Sequence, residues 1–133
     1  MNCILSFSAE GIVRDVDTNN ISAYNILEQL NSPGFPLFKQ QVHYFAFLSR
    51  EDAEPSNYDL NLVVSNNDQT LLEVPLTADF QDQLRNRQIV RIGGIAIPSP
   101  GQLIFRLLHG EQELSVYSVQ ITLVGEPEAT TLE

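Results

Sequence analysis

Apolar side chains occupy every second position over long stretches of this chain, and the clearest stretch lies in its C-terminal third. Residues 103–107 and 119–123 each place an apolar residue at alternate positions, and Gly110 lies in the short link that precedes the second strand. Such alternation is typical of a strand with one buried face, and a short Gly-containing link indicates a hairpin. This segment therefore predicts two antiparallel strands and favours an all-β fold.

The same alternation recurs upstream and predicts further strands, at residues 1–8, Val42–Ser49, 58–64, 70–76 and 89–97. Turn-forming residues separate these runs, including residues 9–11, 66–69 and 98–101. Seven or eight short strands with turn signals every 8–12 residues or so are typical of a sandwich. We therefore expect an antiparallel immunoglobulin-like β-sandwich with at most one short helix.

The run Val42–Ser49 is apolar on both of its faces. Val42, Tyr44, Ala46 and Leu48 would line one face, and His43, Phe45 and Phe47 the other. An antiparallel sandwich buries only one face of each sheet, so the second face needs a cover. That cover is either internal, from a short helical segment at 77–85 holding Phe80 and Leu84, or another molecule.

Residues 21–30 allow two interpretations. Ala23, Ile26, Leu27 and Leu30 have helical spacing, with Ser22 as a possible N-cap. A strand would instead place Ser22, Tyr24, Ile26, Glu28 and Leu30 on one face, which is a less regular apolar pattern. Periodicity therefore favours a helix without excluding a strand.

The net charge of −10 comes from 17 acidic and seven basic residues, and it argues against general binding to nucleic acids or anionic membranes. The exception is residues 83–110, which hold Arg85, Arg87, Arg91 and Arg106 and no Asp or Glu. Two interpretations stand. The arginines pair with carboxylates on neighbouring strands, or they form an anion-binding patch or one half of a charge-complementary interface.

Residues that could carry chemistry are few. The two histidines, His43 and His109, lie in different segments without a nucleophile motif nearby, and the single cysteine, Cys3, has no basic neighbour in sequence. The sequence therefore predicts a protein that is not an enzyme and has no cofactor. Asp15, Asp17 and Asn19 match the first three ligand positions of an EF-hand calcium-binding loop. Asn20 stands where that loop requires Gly, and Ile26 stands where it requires a bidentate Glu.

Length and composition indicate one domain. The chain has 133 residues, of which 43% are hydrophobic, enough for a single core. We expect this domain to span residues 1–125, followed by a frayed acidic tail at 126–133. The first residues lack a basic segment and a long apolar segment, and no apolar run is long enough to cross a membrane, so a cytoplasmic location is expected.

Three segments together resemble a family of small bacterial β-sandwich proteins of unknown function. They are residues 20–28 followed by Phe35-Pro36, the strand at 42–48, and the closing Gly-led hairpin from 101–105 to Gly110. The resemblance covers most of the chain, from about Cys3 to Val124. It implies a strand at residues 21–30, against the periodicity. It implies no activity, cofactor or catalytic residue.

The function that these observations favour is a non-catalytic interaction module, binding another protein or forming a homodimer. Its candidate interface residues are His43, Phe45, Phe47, Arg85, Arg87, Arg91 and Arg106. The alternative is a calcium- or small-ligand-binding module that uses the carboxylate loops, with Asp15, Asp17 and Asn19 as candidate metal ligands. An enzyme is the least favoured class.

Overall fold

Eleven β-strands build the described part of the protein, residues 1–125 of a computed structural model. In chain order they are β1 (Asn2–Arg14), β2 (Ile21–Ile26), β3 (Gln29–Ser32), β4 (Leu37–Lys39), β5 (Val42–Ser49), β6 (Asn57–Asn66), β7 (Gln69–Asp79), β8 (Arg85–Ile92), β9 (Ile95–Ile97), β10 (Gly101–His109) and β11 (Gln112–Leu123). These residues contain no helix. The all-β prediction is confirmed, with more strands than the seven or eight expected. The predicted acidic tail, 126–133, lies outside the described residues.

Two sheets account for nine of these strands. The first sheet has the order β2-β1-β5-β8, and the second has the order β3-β11-β10-β6-β7. Neighbours pair antiparallel except β3 and β11, which run parallel. The short strands β4 and β9 pair with each other in a separate ribbon. The 58–64 and 103–107 runs are strands, as predicted: they lie in β6 and β10, which are direct antiparallel neighbours in the second sheet.

The core lies between the two sheets. Val42, Tyr44, Ala46 and Leu48 of β5 are all fully buried, as are Leu62 of β6 and Phe105 of β10. Alternate residues of one strand face the same side of a sheet, so β5 turns its Val42 face inward, as predicted. The Tyr44 and Phe105 rings stack across the core with centroids 5.8 Å apart. One continuous hydrophobic cluster thus joins the sheets.

Residues 21–30 form strands, as the resemblance implied and the helical periodicity did not. β2 and β3 occupy most of this segment, and the buried Leu27 lies between them. Asn25 adopts a left-handed conformation, with φ of 52°, which a helix interior does not accommodate. The apolar spacing arises because β2 joins the first sheet and β3 the second, so the chain changes sheet near Leu27.

The short helix expected at residues 77–85 is absent from the described structure. Thr77 continues β7, which runs to Asp79. Phe80 then enters the core, only 1% exposed, whereas Leu84 is 46% exposed. The i, i+4 spacing of these two residues therefore does not mark one helical face, and this segment does not cover the outer side of β5.

The expected turn at residues 9–11 is also wrong, because β1 continues through it. The first half of β1 pairs with β5 and its second half pairs with β2. Gly11 lies beneath the Tyr24 ring, where a Cβ would come within 2.0 Å of the ring. The small residue lets the partner side chain cover the backbone closely, so here glycine marks a close approach and not a turn.

Candidate interaction surface

The outer face of the first sheet, the face turned away from the second sheet, carries most of the predicted interface residues. β5 and β8 pair so that Phe47 lies opposite Arg87, Phe45 opposite Ile89, and His43 opposite Arg91. Directly opposed residues point to the same side of a sheet. The structure therefore brings together the aromatic side chains of β5 and the arginines of β8, Arg85 included.

Arg106 does not belong to this group. It lies on β10 in the second sheet, between the buried residues Phe105 and Leu107, and so faces away from the core on the opposite side of the sandwich. Its Nε lies 3.5 Å from Oε2 of Glu113. The sequence grouped it with the other arginines because it is near them along the chain, but β8 and β10 belong to different sheets.

An aromatic cluster occupies the centre of this outer face. Phe7 of β1 and Phe45 lie with ring centroids 5.1 Å apart, and Phe45 and Phe47 with centroids 6.5 Å apart. The contribution of β1 depends on a register shift between Cys3 and Leu5, which turns Leu5 and Phe7 outward. A regular strand over residues 1–8 would place Cys3 on the same face as Leu5 and Phe7, because an alternating pattern does not reveal a bulge.

The hairpin β1–β2 folds over this face. β2 and β8 are the opposite edges of the sheet, about 14 Å apart for three strand spacings. Nevertheless, Nη2 of Arg87 donates a hydrogen bond of 2.9 Å to the carbonyl oxygen of Asn19, in the turn of that hairpin. The turn must therefore lie above the sheet, and the hairpin supplies an internal cover, which the sequence had offered only as an alternative and only from residues 77–85.

The cover is incomplete and leaves an apolar groove of about 480 Å³. Side chains of the hairpin and the sheet line it together: Leu5, Phe7, Ile21, Ala23, Phe45 and Phe47, with Asn20 and Arg87. Phe45 is only 4% exposed, but Leu5 is 52% exposed and Ile89 on β8 is 42% exposed. A smaller cleft of about 270 Å³ adjoins the groove, because Phe47 and Arg87 line both.

A larger cleft of about 550 Å³ lies near Arg91 and is polar. Its side chains already bond one another: Arg91 donates to Oε1 of Gln41 at 3.2 Å, and Gln41 donates to the carbonyl oxygen of Glu10 at 3.3 Å. His43 is engaged too, since its Nδ1 lies 3.1 Å from the same carbonyl oxygen. The groove beside Phe45 is smaller than this cleft, but it exposes more apolar surface.

The arginines of β8 lack acidic partners within residues 1–125. The ion pairs found there are Met1 to Glu54 and Arg106 to Glu113. Arg87 and Arg91 instead donate to neutral oxygens of Asn19 and Gln41. The sequence allowed all four arginines to pair with carboxylates on neighbouring strands; within residues 1–125 this interpretation holds for Arg106 but not for Arg85, Arg87 or Arg91.

The candidate calcium ligands form a hydrogen-bonded turn. Oδ1 of Asp15 accepts hydrogen bonds of 2.8 Å from the backbone N–H groups of Asp17 and Thr18. These bonds lower the pKa of the Asp15 carboxyl. Oδ1 of Asn19 accepts a hydrogen bond from Arg14. Among the described residues, no group of three acidic, His or Cys side chains is placed to hold a metal ion.

The remaining reactive side chains are separated from one another. His109 lies in the second sheet and packs edge-on against Tyr58, with ring centroids 5.3 Å apart. Burial raises the pKa of the Cys3 thiol, which keeps it protonated and weakly nucleophilic at neutral pH. Cys3 lies near Tyr44 and the hydrogen-bonded pair Ser6 and Ser115, in a polar region between the sheets.

This polar region predicts a loss of stability at high pH. Burial raises the pKa of Tyr44 to about 12, from an ordinary value of 10.0. The folded state therefore favours the neutral phenol, and its contribution is complete below pH 10 and lost as the pH rises towards 12. A shift of this size corresponds to about 2–3 kcal/mol. Urea unfolding measured from pH 8 to 12 tests it, and Tyr44→Phe should lose clearly less stability over that range. Equal losses in both proteins would contradict the assignment.

Comparisons with known proteins add no identification. No family model matches the chain, and no curated protein matches it at a significant level. In residues 1–125 there is no helix with the length and apolar character to cross a membrane.

Proposed function

We propose that the protein is a non-catalytic, cytoplasmic interaction module that binds another protein through the outer face of its first sheet. The observation that carries this proposal is the groove between the β1–β2 hairpin and the sheet. It combines aromatic side chains, partly exposed aliphatic side chains and Arg87, which has no acidic partner within residues 1–125. Aromatic residues and arginine are enriched at protein interfaces and at their energetic centres.

Charge supports a protein partner. The whole chain has a net charge of −10, yet the outer side of β8 presents Arg85, Arg87 and Arg91 around Ile89. A local cationic strip beside an apolar groove matches a partner surface that is both apolar and acidic. Nucleic acid would meet the same arginines but would be repelled by the rest of the molecule.

The separation of the reactive groups supports a non-catalytic role. His43 lies on the outer face of the first sheet and His109 on a strand of the second sheet. The thiol of Cys3 is on β1, with its pKa raised by burial. Nucleophilic catalysis needs a base within hydrogen-bonding distance of an activated nucleophile. These groups do not meet that requirement in the described residues.

We further propose that the sandwich is immunoglobulin-like. In that fold strands A, B and E share one sheet, and strands G, F, C and C′ share the other. Here β1, β5 and β8 are consecutive in the first sheet, and β11, β10, β6 and β7 are consecutive in the second. The two orders correspond strand for strand. An experimental structure in which β5 and β8 are not neighbours would contradict this assignment.

Photocrosslinking in the native cells tests the interaction module. The photoreactive analogue p-benzoylphenylalanine is placed at Phe47, in the groove, or at Val116, a 46% exposed residue on the second sheet. We expect a discrete covalent adduct from position 47 and little from position 116. An adduct of twice the protein's own mass identifies the homodimer predicted from the sequence. Equal labelling at both positions, or none at position 47, would rule out this surface.

A further inference from the structure

The second edge of β8 has no neighbouring strand within residues 1–125, because β8 ends the order β2-β1-β5-β8. Every second residue of an edge strand directs its N–H and C=O groups away from the sheet, where they can pair with another chain. On the outer face of this edge, three arginines and Ile89 alternate with residues that face inward. β8 is therefore an edge strand that is free to pair, and its outward side chains form a fixed order of three arginines and one isoleucine.

We propose that β8 binds an extended acidic segment of a partner protein, which adds as a fifth antiparallel strand to the first sheet. This inference rests on the proposed function and specifies its partner. Backbone hydrogen bonds supply affinity in strand addition, and alternate side chains supply specificity. Carboxylates of the added strand would lie opposite Arg91, Arg87 and Arg85, and an apolar residue opposite Ile89. Because the added strand would run antiparallel to β8, its sequence from the N-terminus would be acid-x-apolar-x-acid-x-acid, with the first acid opposite Arg91 and the last opposite Arg85.

The inner side of β8 is already organised, which leaves its outer side and its edge for a partner. Nδ2 of Asn86 donates a hydrogen bond of 2.9 Å to the carbonyl oxygen of Asp79, and Nε2 of Gln88 donates one of 3.3 Å to the carbonyl oxygen of Thr77. Both acceptors belong to β7, the edge strand of the second sheet. These side chains tie the two edges together, so β8 is held in place without being paired along its free side.

A second copy of the chain fits this edge poorly. If two β8 strands paired antiparallel about a two-fold axis, Arg85 would lie near Arg91 of the other copy. Like charges directly opposite each other destabilise a sheet pair. An acidic segment instead offers a carboxylate to each arginine, and those guanidinium groups meet only neutral acceptors in the described structure.

The test uses the synthetic peptide Thr-Glu-Thr-Ile-Thr-Glu-Thr-Glu-Thr, blocked at both ends and labelled for fluorescence anisotropy. Two control peptides keep its length: one replaces each Glu with Gln, and the other carries N-methyl groups on the backbone nitrogens that would face β8. We expect the Glu peptide to bind at least about 10-fold tighter than either control, and more weakly as salt rises. Hydrogen exchange should slow at β8 amides and remain unchanged in β7.

A charge swap gives the matched protein control. Arg85→Glu with Arg91→Glu keeps the edge charged, so its protection against aggregation is retained, and leaves Arg87 with its hydrogen bond to the hairpin. This variant should lose about 10-fold or more in affinity for the Glu peptide. It should regain affinity for a peptide with Lys at the two positions facing residues 91 and 85.

The outcomes separate the two proposals. Equal binding of the N-methylated peptide, or unchanged exchange at β8, overturns strand addition. So does failure of the Glu peptide to bind, or a homodimer with which the peptide does not compete. If position 47 still forms an adduct in cells, the interaction surface survives that result. If no peptide binds and position 47 forms no adduct, both proposals fail.

Discussion

Replacing Phe105 with alanine is expected to lower the free energy of unfolding by about 3–5 kcal/mol. The Phe105 side chain is fully buried at the centre of the sandwich, where it stacks on Tyr44 from the first sheet and packs near Tyr117 of β11. The substitution removes contacts that join both sheets and leaves a cavity that the surrounding strands cannot fill without distorting their pairing. Urea unfolding followed by circular dichroism measures the effect.

Val116→Ala is the matched control for Phe105→Ala. Val116 also lies on the second sheet but is 46% exposed, so its truncation should change the free energy of unfolding by less than about 0.5 kcal/mol. If Phe105→Ala unfolded at the wild-type denaturant midpoint, the assignment of the β10 inner face would be wrong. A midpoint lowered equally in both variants would show that the second sheet does not distinguish its two faces.

Arg50→Ala is expected to destabilise the protein by about 3 kcal/mol, because it removes a buried donor from several carbonyl groups. Arg50 is 8% exposed and directly follows β5. Its Nε donates a hydrogen bond of 2.8 Å to the carbonyl oxygen of Gln83, and its Nη1 donates one of 2.9 Å to the carbonyl oxygen of Glu54. The guanidinium also lies over the Phe80 ring, 5.7 Å from its centroid. It thereby joins the loop after β5 to the connection between β7 and β8.

Two further variants make the Arg50 prediction specific. Arg50→Lys keeps the charge but cannot direct several N–H groups from one plane, so it should recover only part of the stability. Arg14→Ala removes an exposed arginine and should cost less than about 0.5 kcal/mol. Thermal and urea unfolding of the three variants are compared with wild type. Full recovery by lysine would mean that charge alone, and not the directed donors, holds the two loops.

Sequence reasoning did not find Arg50, because its function depends on loops that are distant along the chain. An arginine after an apolar strand is usually exposed, and nothing in its immediate neighbours indicates burial. The same limit applies to the groove. Leu5 and Phe7 belong to a recognisable strand, but their position beside Phe45 depends on strand pairing and on a bulge near residue 4. Local patterns carry no information about either.

Alternation of apolar residues was sufficient to predict the all-β class, the run of β5 from Val42 to Ser49 and the β10–β11 hairpin. It succeeds because the side-chain direction in a strand has a period of two residues, so one buried face leaves a direct trace in the sequence. It also identified β5 as apolar on both faces, which is the basis of the candidate surface.

Tertiary structure alone decided which strands are neighbours and therefore which side chains meet. It placed Arg106 on the opposite side of the sandwich from Arg87, folded the β1–β2 hairpin over Phe45, and sent Phe80 into the core instead of onto a helix. Periodicity describes the faces of each strand separately, whereas pairing order and chain path depend on packing between segments far apart in sequence. For that reason His43, Phe45 and Phe47 could be assigned to one face of β5 in advance, but their position beside Phe7 and the arginines of β8 could not.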